Sequence, residues 1–380
     1  METLNRIREA DFFRDIDRHF AAFIRRFDAE EGIVQLAAAA SNAVAGGSTC
    51  VDLRDIEENT YTGFRFPDRG KIVQMLEKSP AVSCGECGEL RPLVFDGERV
   101  YLRKYWKYEQ EIARGIARKI LSNTRESGDG RLFSLEAVPD MTFDQSAAVA
   151  AALDSRFAVI TGGPGTGKTW TAARIISAYR QKVPGARIAV SAPTGKAAMR
   201  LNESLTGLLP RAGTENGSAS EDIRAMTLHR LLGQRADFYG FTPGRQKDLD
   251  LDLIVVDEAS MVDTAMMSRL LGCSGSARIV MLGDKDQLAS VEAGSVFADI
   301  CDAFGVNVFS PDFLNRLRQK FPKEAGAAVS DPAAGNTVVR LDQNFRFGTG
   351  GGIGRVSRLI LTEQDDRAGE LISVLNSDPV

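Results

Sequence analysis

The chain has 380 residues, with 47 Lys+Arg against 51 Asp+Glu, a net charge of −4 with His neutral, 43% hydrophobic residues, 5 Cys and 2 His. This length suffices for two or three domains with cores of their own, while the two distant histidines, His19 and His229, exclude a multi-histidine metal centre. The negative balance excludes a globally positive field, so nucleic-acid binding has to come from local basic surfaces.

Along the chain, the start METLNRIREADFF is charged and amphipathic, unlike a signal peptide. Residues 11–27 place Phe12, Ile16, Phe20, Phe23 and Phe27 on one helical face with charges opposite, which predicts a helix packed through that stripe. A small-residue helix is predicted over roughly 30–45, then a short extended piece at Cys50-Val51-Asp52-Leu53. The longest apolar stretch, Leu36 to Ala45, is broken by Ser41 and Asn42 and falls short of the roughly 20 residues that cross a bilayer. Together with the odd cysteine count, this predicts a soluble protein of a reducing cytoplasm. Cys84-x-x-Cys87 has no second pair or nearby His to complete a zinc site. Val94-Phe95 and Val100-Tyr101-Leu102 flank Asp96-Gly97-Glu98, the pattern of a hairpin turn.

From Tyr105 to about Ser122, the residues Tyr105, Tyr108, Ile112, Ile116 and Ile120 form an apolar helical stripe. The surrounding basic residues and Trp106 leave two readings, a nucleic-acid patch or a core helix with a basic solvated face. The polar, Gly-rich stretch 122–130 reads as a linker. Short apolar runs then alternate with helical patterns: Phe157–Thr161, Arg187–Ala192, Leu253–Asp257 and Arg278–Gly283. That alternation predicts an α/β lobe with a parallel sheet and crossover helices. Residues 211–222 and 320–336 read as polar loops, and Thr337–Leu341 as a final strand.

Gly162-Gly163-Pro164-Gly165-Thr166-Gly167-Lys168-Thr169 follows an apolar strand and opens a helix, matching G-x-x-x-x-G-K-S/T in full. Gly163, Gly165, Thr166 and Gly167 let backbone N–H groups turn toward phosphates, and the helix start adds its positive dipole end. Lys168 then reaches the β- and γ-phosphates of ATP while Thr169 holds Mg²⁺. The run Leu253–Val256 delivers Asp257 to a strand end as a second magnesium-side group, with Glu258 beside it to orient and deprotonate a water. A water-activating Glu favours hydrolysis over phosphate transfer to a substrate. Two more strand ends carry candidates: Gln287 in Gly283-Asp284-Lys285-Asp286-Gln287-Leu288, placed to report the γ-phosphate, and Thr194 in Ala192-Pro193-Thr194-Gly195-Lys196, placed to cap a helix or bind an anion.

The stretches GGPGTGKT, APTGKAAMRL, VVDEASMVD and GDKDQLASVEAGSVF resemble, in wording and order, motifs I, Ia, II and III of superfamily 1 DNA helicases, most closely the RecD family, the alpha subunits of exodeoxyribonuclease V (RecBCD). Thr227–Gly233 and the front segment PLVFDGERVYLRKYWKYEQEIAR are similar to RecD segments as well, so the resemblance covers most of residues 30–360. It implies an ATP- and Mg²⁺-dependent 5′→3′ helicase subunit of recombination and double-strand break repair. The implied partners are single-stranded DNA, DNA ends and RecC-like and RecB-like subunits, with no membrane. Gln145 in FDQSAAV resembles the adenine-reading Q motif, although a plain helix N-terminal role fits the same residue. Asn344-Phe345-Arg346-Phe347 looks like motif IV, which makes Arg346 an arginine finger on the γ-phosphate. Pro193, Thr194 and Lys196 of motif Ia become contacts to the DNA backbone. The family's duplex-splitting hairpin corresponds to 237–248, where Phe238, Tyr239 and Phe241 either stack on bases or pack on themselves.

The resemblance implies a mainly helical partner-docking domain over 1–125, a RecA-like ATPase lobe over 130–310 with the hairpin insertion at about 235–250, and an incomplete second RecA-like lobe within 311–380. Motifs V and VI do not follow Arg346, so the chain corresponds to the amino-terminal portion of such a polypeptide. On that reading nucleotide binding is retained, and autonomous unwinding is not expected. Two other classes fit parts of the sequence: a nucleotide-binding, partner-docking unit without turnover, and another P-loop ATPase such as an AAA+ protein, which the motif Ia and GDKDQL wording disfavours.

Overall fold

The computed structural model describes residues 7, 12–57, 66, 68–85, 90–123, 141–209, 223–233, 248–287, 293–332 and 335–345. The front of the chain builds α1 (Asp15–Ile24), α2 (Glu31–Ala45), β1 (Cys50–Asp52), α3 (Leu53–Glu57), α4 (Arg69–Lys78), β2 (Val82–Cys84), β3 (Leu93–Phe95) and β4 (Arg99–Leu102). Its strands join in the order β1-β4-β3-β2, with only β2 and β3 parallel. The β3–β4 hairpin turns where expected: Gly97 takes a φ of +109°, and the Asp96 carboxylate accepts the N–H groups of Glu98 and Arg99 at 2.9 and 2.7 Å.

Helix α1 packs through its predicted stripe only at Phe20, which is half-buried against the front core. Its buried residues are Asp17, Ala21 and Ile24, joined by Phe13, while Ile16, Phe23 and Phe27 are 62%, 43% and 49% exposed. The reason is Asp17, which has no exposure at all and accepts hydrogen bonds from Ser41 Oγ at 2.6 Å, the Arg14 backbone at 3.0 Å and Asn42 Nδ2 at 3.3 Å. Burial pushes this carboxyl up, but the bonds from Ser41, Arg14 and Asn42 outweigh it and hold the group below its ordinary range. A charge so fully satisfied pins the polar side of α1 onto α2 and leaves Phe23 and Phe27 facing outward.

Helix α5 (Arg103–Asn123) starts on the residue after β4 and runs directly onto the next unit. Ile112 and Ile116 enter the core of that unit, as the core-helix reading of this segment expects. Gly115 permits the approach, since a Cβ there would lie 2.8 Å from Leu271 Cβ. Ser268 Oγ donates to Glu111 Oε2 at 2.5 Å, and the buried Lys119 Nζ donates to the Ala277 carbonyl at 2.6 Å. The front region and the second unit therefore share a helix.

The second unit contains α6 (Phe143–Asp154), β5 (Phe157–Thr161), α7 (Lys168–Lys182), β6 (Ile188–Ala192), α8 (Gly195–Leu208), β7 (Met226–Thr227), α9 (Leu228–Leu231), β8 (Leu253–Val256), α10 (Thr264–Cys273), β9 (Arg278–Gly283) and α11 (Val296–Phe304). It continues with β10 (Val308–Phe309), α12 (Pro311–Arg318), α13 (Pro322–Ala327), β11 (Val329–Ser330) and β12 (Val338–Arg340). Six strands form one parallel sheet in the order β12-β5-β9-β8-β6-β7. Both faces are covered, and the period-2 rule sorts the strands: Ala158, Ile160, Val255, Val280 and Leu282 pack on one side, Phe157, Val159, Ile254, Ile279 and Met281 on the other.

Two expectations change here. The strand at Thr337–Leu341, expected to open a second lobe, pairs with β5 in register Val338 to Val159 and so extends the first sheet. Residues 320–336, read as a polar loop, hold α13 and β11, and β11 pairs with β10. The 211–222 loop, the 237–247 part of the hairpin candidate, Cys87 and everything after Phe345, Arg346 included, lie outside the described residues. Among the described residues, no helix is long and apolar enough to cross a membrane, and no group of three or more metal-ligating side chains occurs.

Burial of Lys119, with smaller contributions from the charges of Arg156 and Arg118, pushes its ammonium down to about 8 from an ordinary 10.5. Between those values the unfolded chain binds more protons than the folded one, so the stability contribution of this site rises with pH. Relative to Lys119→Met, the wild type is expected to gain up to about 3 kcal/mol as pH climbs from about 8 to about 10.5. Parallel chemical denaturation series would show this, and parallel pH slopes for the two proteins would contradict it.

Candidate nucleotide site

The C-terminal edge of a parallel sheet collects strand-to-helix turns, and the chemical candidates gather there. β5 ends at Thr161, and the chain passes through the P-loop into α7. Gly162 has no room for a side chain: a Cβ would stand 2.7 Å from Thr166 Oγ1 and 2.9 Å from the Leu341 carbonyl oxygen. Gly165 and Gly167 take φ values of +83° and +86°, the left-handed region that glycine enters without strain. Thr166 Oγ1 braces the loop by donating to the Gly163 carbonyl at 2.9 Å. Nothing stands within 4 Å of the Cβ position of Gly163, so the loop's mouth is open. Lys168 Nζ donates to the Gly162 and Gly163 carbonyls at 2.5 and 3.0 Å. Gly167, the N-cap of α7, has no side chain to occupy the helix's first N–H groups, which suits an anion.

Thr169 Oγ1 donates to Asp257 Oδ2 at 3.4 Å, so the residues named for magnesium are brought together. Asp257 is buried at the end of β8, and its other oxygen accepts the Glu258 N–H at 2.9 Å. Burial raises its pKa, and Glu258's charge adds to that. The Glu258 N–H, the charge of Lys168 and the Thr169 hydroxyl offset only part of the rise. A buried carboxylate beside a hydroxyl, short of positive charge, is the hard oxygen pair that a divalent cation satisfies. Glu258 adopts a left-handed backbone, φ +52° and ψ +39°, which is strained for a residue with a side chain. Gln287 lies exposed in the turn after β9, and Thr161 Oγ1 ties that turn to β5 by accepting the Lys285 N–H at 3.1 Å.

Gln145 occupies the third position of α6 in a capping box: its Oε1 accepts the Thr142 N–H at 3.3 Å, and Thr142 Oγ1 accepts its N–H. With the carbonyl end engaged, the Nε2 end stands 3.2 Å from the Cβ position of Gly167. The two readings of Gln145 are thus compatible, since the cap aims the amide at the P-loop. On the next strand end, Thr194 is the N-cap of α8, accepting the Ala197 N–H at 3.2 Å; Pro193 is buried and Lys196 exposed.

The sequence reading named Asn344 and Phe345 only as part of motif IV and missed that they fasten it to the P-loop. The Phe345 N–H donates to the Gly165 carbonyl at 2.9 Å, Asn344 Nδ2 donates to the Pro164 carbonyl at 2.9 Å, and the Asp342 N–H donates to Asp144 Oδ2 at 3.3 Å. The Phe345 ring comes within 3.7 Å of the Cβ position of Gly167. Each lies next to a residue the motifs had singled out, and that adjacency was the available signal. A cavity of about 1290 Å³ lies elsewhere, where Arg99, Tyr101 and Glu109 face Val296, Asp299 and Ile300, and no P-loop residue lines it.

A buried parallel sheet with a P-loop after one strand and an Asp-Glu pair after another defines a RecA-like P-loop NTPase lobe. Residues 145–293 match the family described as AAA domain, and residues 9–101 match that described as RecBCD enzyme subunit RecD, N-terminal domain. The chain is 38% identical to RecBCD enzyme subunit RecD of Mycolicibacterium smegmatis over 73% of its own length and 50% of that protein. It is 29% identical to its Haemophilus influenzae counterpart over 98% of its own length and 64% of that protein. With ATP-dependent RecD2 DNA helicase of Deinococcus radiodurans it shares 32% identity over 52% of its length and 25% of that protein. The chain thus carries a match to the RecD N-terminal domain followed by a match to an AAA domain, and it is similar to RecD subunits over most of its own length. It spans 50% to 64% of the length of the two RecD relatives.

Gly167→Ala forces a side chain into a left-handed backbone and against the Gln145 amide. It is expected to cost about 1–2 kcal/mol of stability, read by thermal denaturation. Displacing the amide is also expected to weaken binding of a fluorescent ATP analogue about tenfold.

Proposed function

We propose that this chain is the ATP-hydrolysing part of a 5′→3′ DNA helicase subunit, working in a RecBCD-type complex in recombination and double-strand break repair. The observation that carries the reading is the joining of Lys168, Thr169, Asp257 and Glu258 at one sheet edge, with the motif IV segment bonded to the same P-loop. Thr169 and Asp257 hold Mg²⁺, which when bound neutralises phosphate charge. Lys168 exchanges its two carbonyl partners for phosphate oxygens, and the helix start of α7 faces the same charge. Glu258 orients the attacking water and takes its proton, and Gln287 meets the terminal phosphate. On the family resemblance, Arg346 adds an arginine finger. Gln145, with its amide end toward the loop, reads the adenine edge.

Coupling to DNA follows from the sheet edge. Thr194 and the exposed Lys196, on the turn after β6, are the backbone-facing groups for a single strand crossing this edge; Pro193 stiffens the turn. Partner docking rests on α1 and its flanks, whose outward residues Phe12, Ile16, Phe23 and Phe27 are 37%, 62%, 43% and 49% exposed, with Arg14 and Arg26 also on the surface. This is the face for a RecC-like subunit, and a RecB-like subunit completes the complex.

The wild-type chain is expected to hydrolyse ATP faster with single-stranded DNA present, and Lys168→Ala to lower that rate about a hundredfold or more. Nucleotide binding without stimulation would instead favour a docking unit that does not turn over. For partner docking, Phe23→Asp combined with Phe27→Asp is expected to weaken capture of the cognate RecC-like subunit by about 2 kcal/mol or more, with the basal ATPase unchanged. Unchanged capture in a pull-down titration would exclude α1 as the docking face.

A further inference from the structure

Two turns that carry separate motifs touch through one pair of side chains. Ser260 lies in the 3₁₀ turn Ala259–Met261 just after the Asp-Glu pair and is buried, and its Oγ donates to Gln287 Oε1 at 3.4 Å. The turn is seated against the end of β9 at Gly283, where a Cβ would lie 3.0 Å from Ser260 N and 2.8 Å from the Phe297 ring. From the other side, the loop holding Gln287 is fixed by the Lys285 N–H on Thr161 Oγ1 and by the Asp286 N–H on Asp284 Oδ1 at 3.2 Å. Ser260 therefore has a set position from which to act on an otherwise exposed side chain.

A carboxamide has one accepting and one donating end, and only the donating end can meet an anionic phosphate oxygen. A hydroxyl that occupies Oε1 leaves Nε2 directed away from it. An exposed glutamine with no such contact rotates about its terminal torsion, which is broad and two-fold, and spends much of its time with the oxygen forward. We propose that Ser260 is a positioning residue: it holds the Gln287 amide with Nε2 presented to the terminal phosphate and links the Asp257-Glu258 turn mechanically to the turn after β9. This rests on the reading of the site as one that binds and hydrolyses ATP.

The test compares the affinities of fluorescent ATPγS and fluorescent ADP for the whole chain, alongside kcat and KM for ATP on single-stranded DNA. The proteins are the wild type, Ser260→Ala, Ser260→Thr, Gln287→Ala and the double variant Ser260→Ala with Gln287→Ala. The wild type is expected to prefer the triphosphate. Ser260→Ala should cut that preference roughly twofold to tenfold, the cost of fixing a freely rotating amide on binding. KM for ATP should rise with that loss, and kcat should fall. Ser260→Thr keeps the hydroxyl and should restore both. Gln287→Ala should lose at least as much as Ser260→Ala, because it removes the amide itself, and the double variant should be no worse than Gln287→Ala alone, because Ser260 acts only through that amide. A wild type without triphosphate preference, a Ser260→Ala variant that keeps it, or losses that multiply in the double variant each overturn the proposal. If the wild type binds both nucleotides and turns over no ATP, the hydrolysis reading falls, while the affinity ratios still decide the role of Ser260.

Discussion

At the end of β5, three strands converge on a residue that has no side chain. The Gly162 N–H donates to the Gly283 carbonyl at 3.1 Å, and the Leu341 carbonyl oxygen stands 2.9 Å from where a Cβ would be. The P-loop begins at this crossing, the turn carrying Gln287 leaves it on one side, and the segment leading to Phe345 leaves it on the other. Each neighbouring feature presupposes the closeness: Thr161 Oγ1 reaches Lys285, and Phe345 reaches Gly165, because the strand ends already touch. A sheet buried on both faces makes such convergence rigid, since no strand can shift without exposing residues on two sides.

The same economy of space joins the front of the chain to the lobe. α5 belongs to both, taking its start from the β4 strand and its last turns from the lobe's core, with Gly115 against Leu271 and Lys119 bonded to Ala277. The Gly294 N–H donates to the Gly47 carbonyl at 2.9 Å, a further tie a few residues beyond Gln287. A partner seated on the front region would thus bear on the nucleotide edge through packed elements. That is a physical route for coupling, and it differs from two domains joined by a free linker.

Much of the site could be read in advance. The motifs around Lys168, Asp257 and Gln287 each need a strand to deliver them and a turn to present them, and those local requirements leave their mark as apolar runs followed by Gly, Asp or Thr. Less could be read where a residue's role depends on what lies across from it. The α1 stripe had the period of a buried face, yet Asp17 on the opposite side had better partners in Ser41 and Asn42, and periodicity carries no information about partners. Val338–Arg340 read as a strand correctly, but nothing local says which sheet a strand joins.

By itself, the sequence determined the order of the chemistry: a phosphate loop, an Asp-Glu strand end and a glutamine turn, each specified by neighbours within a few residues. Only the tertiary structure decided what those pieces do to one another. The aim of the Gln145 amide past its cap, the seating of Asn344 and Phe345 on the P-loop, and the meeting of Ser260 with Gln287 all join residues distant in the chain. The physical reason is that a hydrogen bond or a close backbone approach is fixed by positions to within a few tenths of an ångström, and such positions are set by the packing of the whole sheet and its helices.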